Sequence, residues 1–421
     1  MTRALTSDQN KAIDRLFEHD ATVLVADTGV GKTVIGLTSI KELIYGGHAT
    51  RVIVAAPPKV LTNRVWPNEV EKWPHLKGLN VLQIEGTVDE RLELLNKPAL
   101  IPHVLMISLN NLAWLLDQDH GCDGIVIDEL SKAAGKQTKG LKSKKKSGML
   151  RWRCGMTATP VSQNFEKFWA MCRVIDNGSA LGTNKSRYLQ EYFYSDYQGY
   201  NWTLKDGADE KIMKKVVSLV HLVDGDKAKS LPPLRETLLR FDLSDNAREK
   251  YEEMKKDMVV DDVEAANQAV KSGKLRQLAS GFVYPIVGGN AVRYSKERLY
   301  AAMAWCATLG NRPGLVFYDF VEQAMWAEQF PDNITFAQIN SMSHGVEGLQ
   351  HKFADVLFIQ PVWSRDQHKQ AIGRVWRQGQ TKPVNVTTLV ANDTLDDVVL
   401  ERVAGNAKWF EMFKQHMKVK G

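Results

Sequence analysis

TVLVADTGVGKT, residues 22–33, passes from a β-branched apolar run into a glycine loop that ends in Gly-Lys-Thr. The run predicts a buried strand over Thr22–Ala26, and the pattern that follows predicts a helix over Thr33–Tyr45. Strand, glycine loop and helix in that order are the setting in which such a loop holds phosphate. Thr28, Gly29, Val30 and Gly31 would turn backbone amides toward the anion, and the helix N-terminus would face it as well. Lys32 would reach the β- and γ-phosphates. Thr33 would place its hydroxyl on Mg²⁺.

Working outward, further apolar runs follow at Arg51–Ala56, His103–Ser108, Gly124–Ile127 and Trp152–Met156. Continuous apolar strands separated by helical stretches predict a parallel sheet covered on both faces. Residues 165–275 read as mostly helical, and Lys229–Leu234 (KSLPPL) reads as a linker. After Glu236–Leu243, a strand, a second α/β pattern appears: strands at Gly314–Tyr318, Asn333–Asn340, Asp355–Gln360 and Val384–Val390, with a helix at Val321–Phe330. The expected fold is α/β, with two parallel-sheet lobes in tandem and a helical insertion between them. The expected boundaries are 1–180 for the first lobe, 181–230 for the insertion and linker, and 231–421 for the second lobe, with a helical protrusion at 245–275.

Two further stretches carry chemistry. In IVIDELS, Ile125–Ser131, an apolar strand ends in adjacent carboxylates. Behind a phosphate loop, Asp128 would hold Mg²⁺ and Glu129 would orient the attacking water. In QAIGRVWRQGQ, Gln370–Gln380, residues Gln370, Arg374 and Arg377 fall at i, i+4 and i+7 and would share one helix face. A solvated face is one reading. The other is a pair of arginine fingers that stabilise charge at the γ-phosphate.

The formal net charge of +6 over 421 residues suits nucleic-acid contact without demanding it. The four cysteines are far apart and form no C-x-x-C pair, so neither a disulfide framework nor a zinc site is expected. The polar N-terminus resembles no secretory signal, and no apolar run approaches the roughly 20 residues needed to span a bilayer. A soluble protein of a bacterial or phage-infected cytosol is expected.

In this order the motifs resemble helicase superfamily two, and within it the SWI/SNF-type DNA translocases. Gln9 sits where that family keeps an adenine-reading glutamine, and Ala26–Thr33 is its motif I. Val52–Trp73, with Trp66, Glu69 and Trp73 closing it, resembles motif Ia; Val104–Leu112 resembles motif Ib. Asp128–Ser131 corresponds to motif II, Gly155–Pro160 to motif III, GLVFYDF to motif IV, Ser343–Gln350 to motif V and Gln370–Gln380 to motif VI. Leu130 and Ser131 depart from the alanine and the histidine or aspartate usual in motif II, motif V is degenerate, and the stretch between motifs IV and V is short. The RQGQ ending is similar to that of compact phage and bacterial members.

The resemblance implies that the two lobes are RecA-like and that the chain is an ATPase that uses ATP and Mg²⁺ and moves along DNA. Duplex DNA is expected before single-stranded DNA, with a replication or recombination protein as partner, a monomeric state and no membrane contact. Lys59, Arg64, Ser108, Asn110 and Thr159 are the expected backbone contacts. Lys144, Lys145 and Lys146 belong to the acid-free stretch Lys136–Arg153, read as a solvated loop, as a nuclear-targeting patch at Lys144–Lys146 or as a loop that tracks phosphates. The aromatic run Tyr188–Trp202 is expected to pack as a helical protrusion, with Tyr192, Phe193 and Tyr197 on its inner face. Two other functions stay open: a strand-separating helicase on single-stranded DNA or RNA, and a motor-deficient DNA-binding scaffold.

Overall fold

The computed structural model describes residues 4–27, 29–97, 101–133, 141, 150–158, 160, 165–197, 202–223, 231–257, 259–260, 263–264, 268–285, 290–339 and 348–404. Two units are present. One comprises residues 1–228 with 406–421, the other 229–405.

The first unit is built on a seven-stranded sheet. Its strands are β1 (Ala21–Ala26), β2 (Val52–Ala56), β3 (Val81–Ile84), β4 (Val104–Ser108), β5 (Gly124–Ile127), β6 (Trp152–Thr157) and β9 (Val220–Val223), in the order β3-β4-β2-β5-β6-β1-β9. Every recorded pairing in it is parallel, so all strands end on the same edge. Side chains alternate between two apolar layers, as a pleat requires. Val23, Val25, Ile53, Ala55, Ile125 and Ile127 enter one layer; Leu24, Ala26, Val52, Val54 and Val126 enter the other. With both faces buried, β1, β2, β4 and β5 read as near-continuous apolar runs, whereas β6 carries the buried Arg153, whose guanidinium donates to Leu150, Val174 and Asn177.

Helix α1 (Ser7–Glu18) starts at a capping box in which the Thr6 hydroxyl accepts from the Gln9 amide and the Gln9 side chain accepts from Thr6. Helix α2 (Lys32–Tyr45) follows the glycine loop, α3 (Pro58–Thr62) follows β2, and α4 (Val65–Lys72) comes next.

The segment expected as a separate helical insertion belongs to this unit. Helices Lys185–Tyr192 and Ala208–Val216 occur, but between them β7 (Phe193–Ser195) pairs antiparallel with β8 (Trp202–Leu204), and β9 adds the last strand beside β1. The aromatic run is therefore helix and then hairpin. Tyr192 and Phe193 are buried, the hydroxyl of buried Tyr188 donates to Phe165, and Tyr197 is fully exposed. The expected common face fails at Tyr197 because the helix stops at Tyr192 and Tyr197 falls in the turn after β7.

The second unit carries a five-stranded parallel sheet: β10 (Leu234–Phe241), β15 (Gly314–Tyr318), β16 (Ile334–Gln338), β17 (Asp355–Phe358) and β18 (Val384–Ala391), ordered β10-β18-β17-β15-β16. The helical protrusion expected at 245–275 is two helices, Asp245–Asp257 and Gln268–Ala279, with the short strands β11 (Val259–Val260) and β12 (Val263–Glu264) between them. Val321–Phe330 likewise divides into Val321–Ala324 and a 3-10 turn, Met325–Gln329. Among the described residues, no helix is long and apolar enough to cross a membrane. All four cysteines are free and buried, and burial pushes the Cys122 thiol up to about 12.

Candidate nucleotide site

The glycine loop emerges from β1 at the carboxyl edge of the first sheet. Gly29 and Gly31 have φ of 84° and 94°, a left-handed conformation that β-carbons disfavour, and Gly31 caps α2. Val30 turns its side chain into the core, so it meets the loop's interior through its backbone. Its carbonyl accepts from Gln9 Nε2 at 2.7 Å. Gln9 is buried and spans α1 and the loop, with its amide oxygen on Thr6 and its amide nitrogen on Val30. Lys32 Nζ donates to the carbonyls of Ala26 at 2.8 Å and Asp27 at 3.2 Å, folding back over the loop. Thr28 lies outside the described residues.

β5 lies one strand away from β1, across β6, and delivers Asp128 and Glu129 to the same edge. Burial and the neighbouring Glu129 push the Asp128 carboxyl up, while the Trp66 indole and the Lys32 ammonium act the other way. Lys32, Asp128 and Glu129 therefore share one electrostatic neighbourhood. Glu129 adopts φ 54° and ψ 54°, a strained backbone for a side chain of its size, and its carboxylate pairs with Lys132 at 2.5 Å. Leu130, the departure in motif II, is fully buried and covers Gly155: a β-carbon there would meet Leu130 Cδ2 at 2.5 Å and Ile175 Cδ1 at 3.0 Å. The bulk at Leu130 is accommodated because Gly155 has none.

A hard cation that takes few carboxylates and relies on phosphate and water for the rest is the kind this donor set suits. The Asp128 carboxyl, pushed up by burial and then by Glu129, gains most from a divalent charge nearby, and Thr33 is the second residue of α2, directly after Lys32.

The other carboxyl-edge residues follow β2 and β4, which are adjacent in the sheet. Lys59, Arg64 and Asn110 are exposed; Ser108 is buried at the end of β4. Arg64 has φ 49°, and its guanidinium donates to Gln83 Oε1 at 3.3 Å. Thr159, Lys144, Lys145 and Lys146 lie outside the described residues, as do residues 343–347 of motif V.

In the second unit, Gln370 and Arg374 lie on the helix Arg365–Val375. Arg377 does not: the helix ends at Val375, Trp376 has φ −91° and ψ 81°, and Arg377 follows in a turn. The i, i+4, i+7 face therefore holds for Gln370 and Arg374 alone. Trp376 explains the break, since its indole donates to Pro232 at 2.7 Å and pulls the chain toward β10. The final Gln380 is buried. Its amide nitrogen donates to Phe353 and Val375, and its oxygen accepts from Thr381 and Lys382. Its spacing after the arginines was the only sequence signal for that role.

A family model described as the SNF2-related domain matches residues 9–283. The chain belongs to the SNF2-related family. It is therefore a helicase-like ATPase core of the SWI/SNF type, a relative of chromatin remodellers and DNA-repair proteins. Protein p41 of Acyrthosiphon pisum secondary endosymbiont phage 1 is 25% identical over 94% of this chain and 94% of its own length. The mouse (Mus musculus) SWI/SNF-related matrix-associated actin-dependent regulator of chromatin subfamily A member 1 is 22% identical over 92% of this chain. The SNF2-related chain spans only 41% of that protein's length. A solved structure titled as the Sulfolobus solfataricus SWI2/SNF2 ATPase core in complex with dsDNA is 19% identical, covers 96% of this chain and 92% of its own, and gives a TM-score of 0.48.

Proposed function

We propose that this chain hydrolyses ATP with Mg²⁺ and couples turnover to translocation along DNA, duplex DNA above all. The observation that carries the proposal is the convergence of Lys32, Asp128 and Glu129 at the edge where the glycine loop opens. Lys32 would leave its own loop carbonyls for the phosphates, Gln9 would read the adenine, and Thr33 and Asp128 would hold Mg²⁺. The cation supplies charge neutralisation at the β- and γ-phosphates. Glu129, on its strained turn, would orient the attacking water. Arg374, Arg377 and Gln370 are assigned to the charge that develops on the γ-phosphate.

DNA as the track is supported by family membership and by relatives named for chromatin regulation that match over nine-tenths of this chain. The exposed Lys59, Arg64 and Asn110 after two adjacent strands suit phosphates, which give affinity without sequence. ATP turnover measured in parallel with duplex DNA, single-stranded DNA and RNA tests the proposal. The largest stimulation should come from duplex. Equal rates with and without every track would sink it, and triplex displacement beside forked-duplex unwinding separates tracking from strand separation.

A further inference from the structure

Trp66 is the second residue of α4 and, among the described residues, the largest fully buried side chain. Two contacts fix it. Its ring lies against α2 at Gly36, where an added β-carbon would stand 3.0 Å from Trp66 Cη2 and 2.4 Å from Met156 Cε. Its indole Nε1 donates to Asp128 Oδ2 at 3.1 Å. Packing alone would be met by phenylalanine. The indole N–H adds a donor aimed at one oxygen of one carboxylate, which restrains how that carboxylate rotates.

α4 has a second unusual feature at its start. Arg64, its N-cap, holds a left-handed backbone (φ 49°, ψ 38°) with an arginine side chain. That turn is braced by Gln83, which accepts from Arg64 and donates to the Leu61 carbonyl at 2.9 Å. Strained residues persist where the surroundings over-determine them. An exposed cation thus stands two residues before the tryptophan that grips Asp128.

We infer that Trp66 is a positioning residue for Asp128, tying α4 and its Arg64 end to the carboxylate that would hold Mg²⁺. The inference rests on the nucleotide and metal reading above. A phosphate drawn to Arg64 would act on the N-terminus of α4. Through one rigid turn and one hydrogen bond, that displacement reaches Asp128. Metal affinity and DNA contact are then linked, and by reciprocity each changes the other by the same factor.

The test uses Trp66→Phe in the full chain, with Trp73→Phe as a matched control. Trp73, the C-cap of the same helix, also donates an indole hydrogen bond, to Glu69 Oε1 at 2.8 Å. A fluorescent ADP analogue is titrated with Mg²⁺ and with EDTA, each with and without duplex DNA. In Trp66→Phe the Mg²⁺-dependent gain in ADP affinity should fall roughly 10-fold or more, the scale seen when an outer partner of a metal ligand is lost. Affinity in EDTA should match wild type, and the effect of DNA on Mg²⁺·ADP binding should vanish. Trp73→Phe should keep both. An unchanged Mg²⁺ gain in folded Trp66→Phe overturns the inference while leaving the nucleotide reading intact; a wild type with no Mg²⁺-dependent ADP binding overturns both. If Trp66→Phe does not fold, hydrogen exchange of residues 65–72 in the wild type decides. Added protection with Mg²⁺·ADP over ADP in EDTA supports the tie, and equal exchange refutes it.

Discussion

The two sheets solve the same burial problem with different materials. In the first unit, alternating residues of β1, β2 and β5 feed two large apolar layers, and the buried Arg153 of β6 donates to the Leu150 and Val174 carbonyls and to Asn177. In the second, the apolar layers are smaller, β10 is largely exposed, and a buried ion pair and a connected polar web join the interior. Arg298, 1% exposed, donates to the carbonyls of Ala279, Ile359 and Leu389 and pairs with buried Asp396 at 2.5 Å. Nearby, Gln360 accepts from Ser280 and Gln323 and donates to Asp319, which pairs with Arg276 at 2.9 Å. An apolar slab degrades gradually when one contact is lost. A buried polar web is worth having only when complete, because each orphaned group costs its full desolvation. The second unit should therefore be the more fragile partner, and the one whose function is lost at a single position.

The sharpest test of that contrast is functional. If the first unit holds the nucleotide but cannot complete turnover, Arg374→Ala should lower kcat by about 10³- to 10⁵-fold with ATP affinity retained. Glu129→Gln should lower it by about 10²- to 10⁴-fold. Steady-state kinetics beside nucleotide titration separates the two. Undiminished kcat in Arg374→Ala would make the first unit catalytically self-sufficient.

Next in size is stability. Asp396→Asn should destabilise the second unit by about 3–5 kcal/mol, because Arg298 is left buried without its counter-charge. Chemical unfolding should show one transition moving while the other stays. A single transition that shifts as a whole would mean that the units unfold together.

Acid offers a related probe. His368 packs on Phe358 at 4.6 Å, and burial together with Arg365 lowers its pKa from 6.5 to about 4. The folded state thus resists the proton that the unfolded chain accepts. Its contribution is fully present above pH 6.5 and is lost as pH falls toward 4, about 3 kcal/mol in all. His368→Gln should flatten the acid dependence of the second unit's unfolding across that window; an unaltered profile would assign the acid sensitivity to other groups.

The smallest effect belongs to the apolar slab. Gly155→Ala should cost about 1–3 kcal/mol through overpacking on Leu130. Leu130→Ala in the same chain should recover part of it, as thermal melts of the two single variants and the double variant would show.

These contrasts also explain what the sequence disclosed. β1, β2 and β5 were legible because a strand buried on both faces is nearly all apolar, and β6 was legible despite the buried Arg153 within it. The glycine loop was legible because Gly29 and Gly31 answer a backbone demand that few residues meet. The hairpin β7–β8 was not legible, since nothing local in the aromatic run through Tyr192, Phe193 and Tyr197 marks where the helix stops. The break before Arg377 was hidden because it depends on Trp376 reaching Pro232, some 140 residues away in the chain. Trp66 was noticed as part of a motif, yet its hold on Asp128 is a long-range contact that no local pattern encodes.

The position of β1 has a consequence for how the protein is made. Its two neighbours are β6 and β9, which leave the ribosome about 130 and 200 residues after it. Until Val220–Val223 has been synthesised, the strand that carries the glycine loop has at least one edge open. The apolar β1 must therefore be shielded while about half of the chain is made. Ribosome-stalled chains ending before and after residue 223 should differ sharply in their exposure to chaperones.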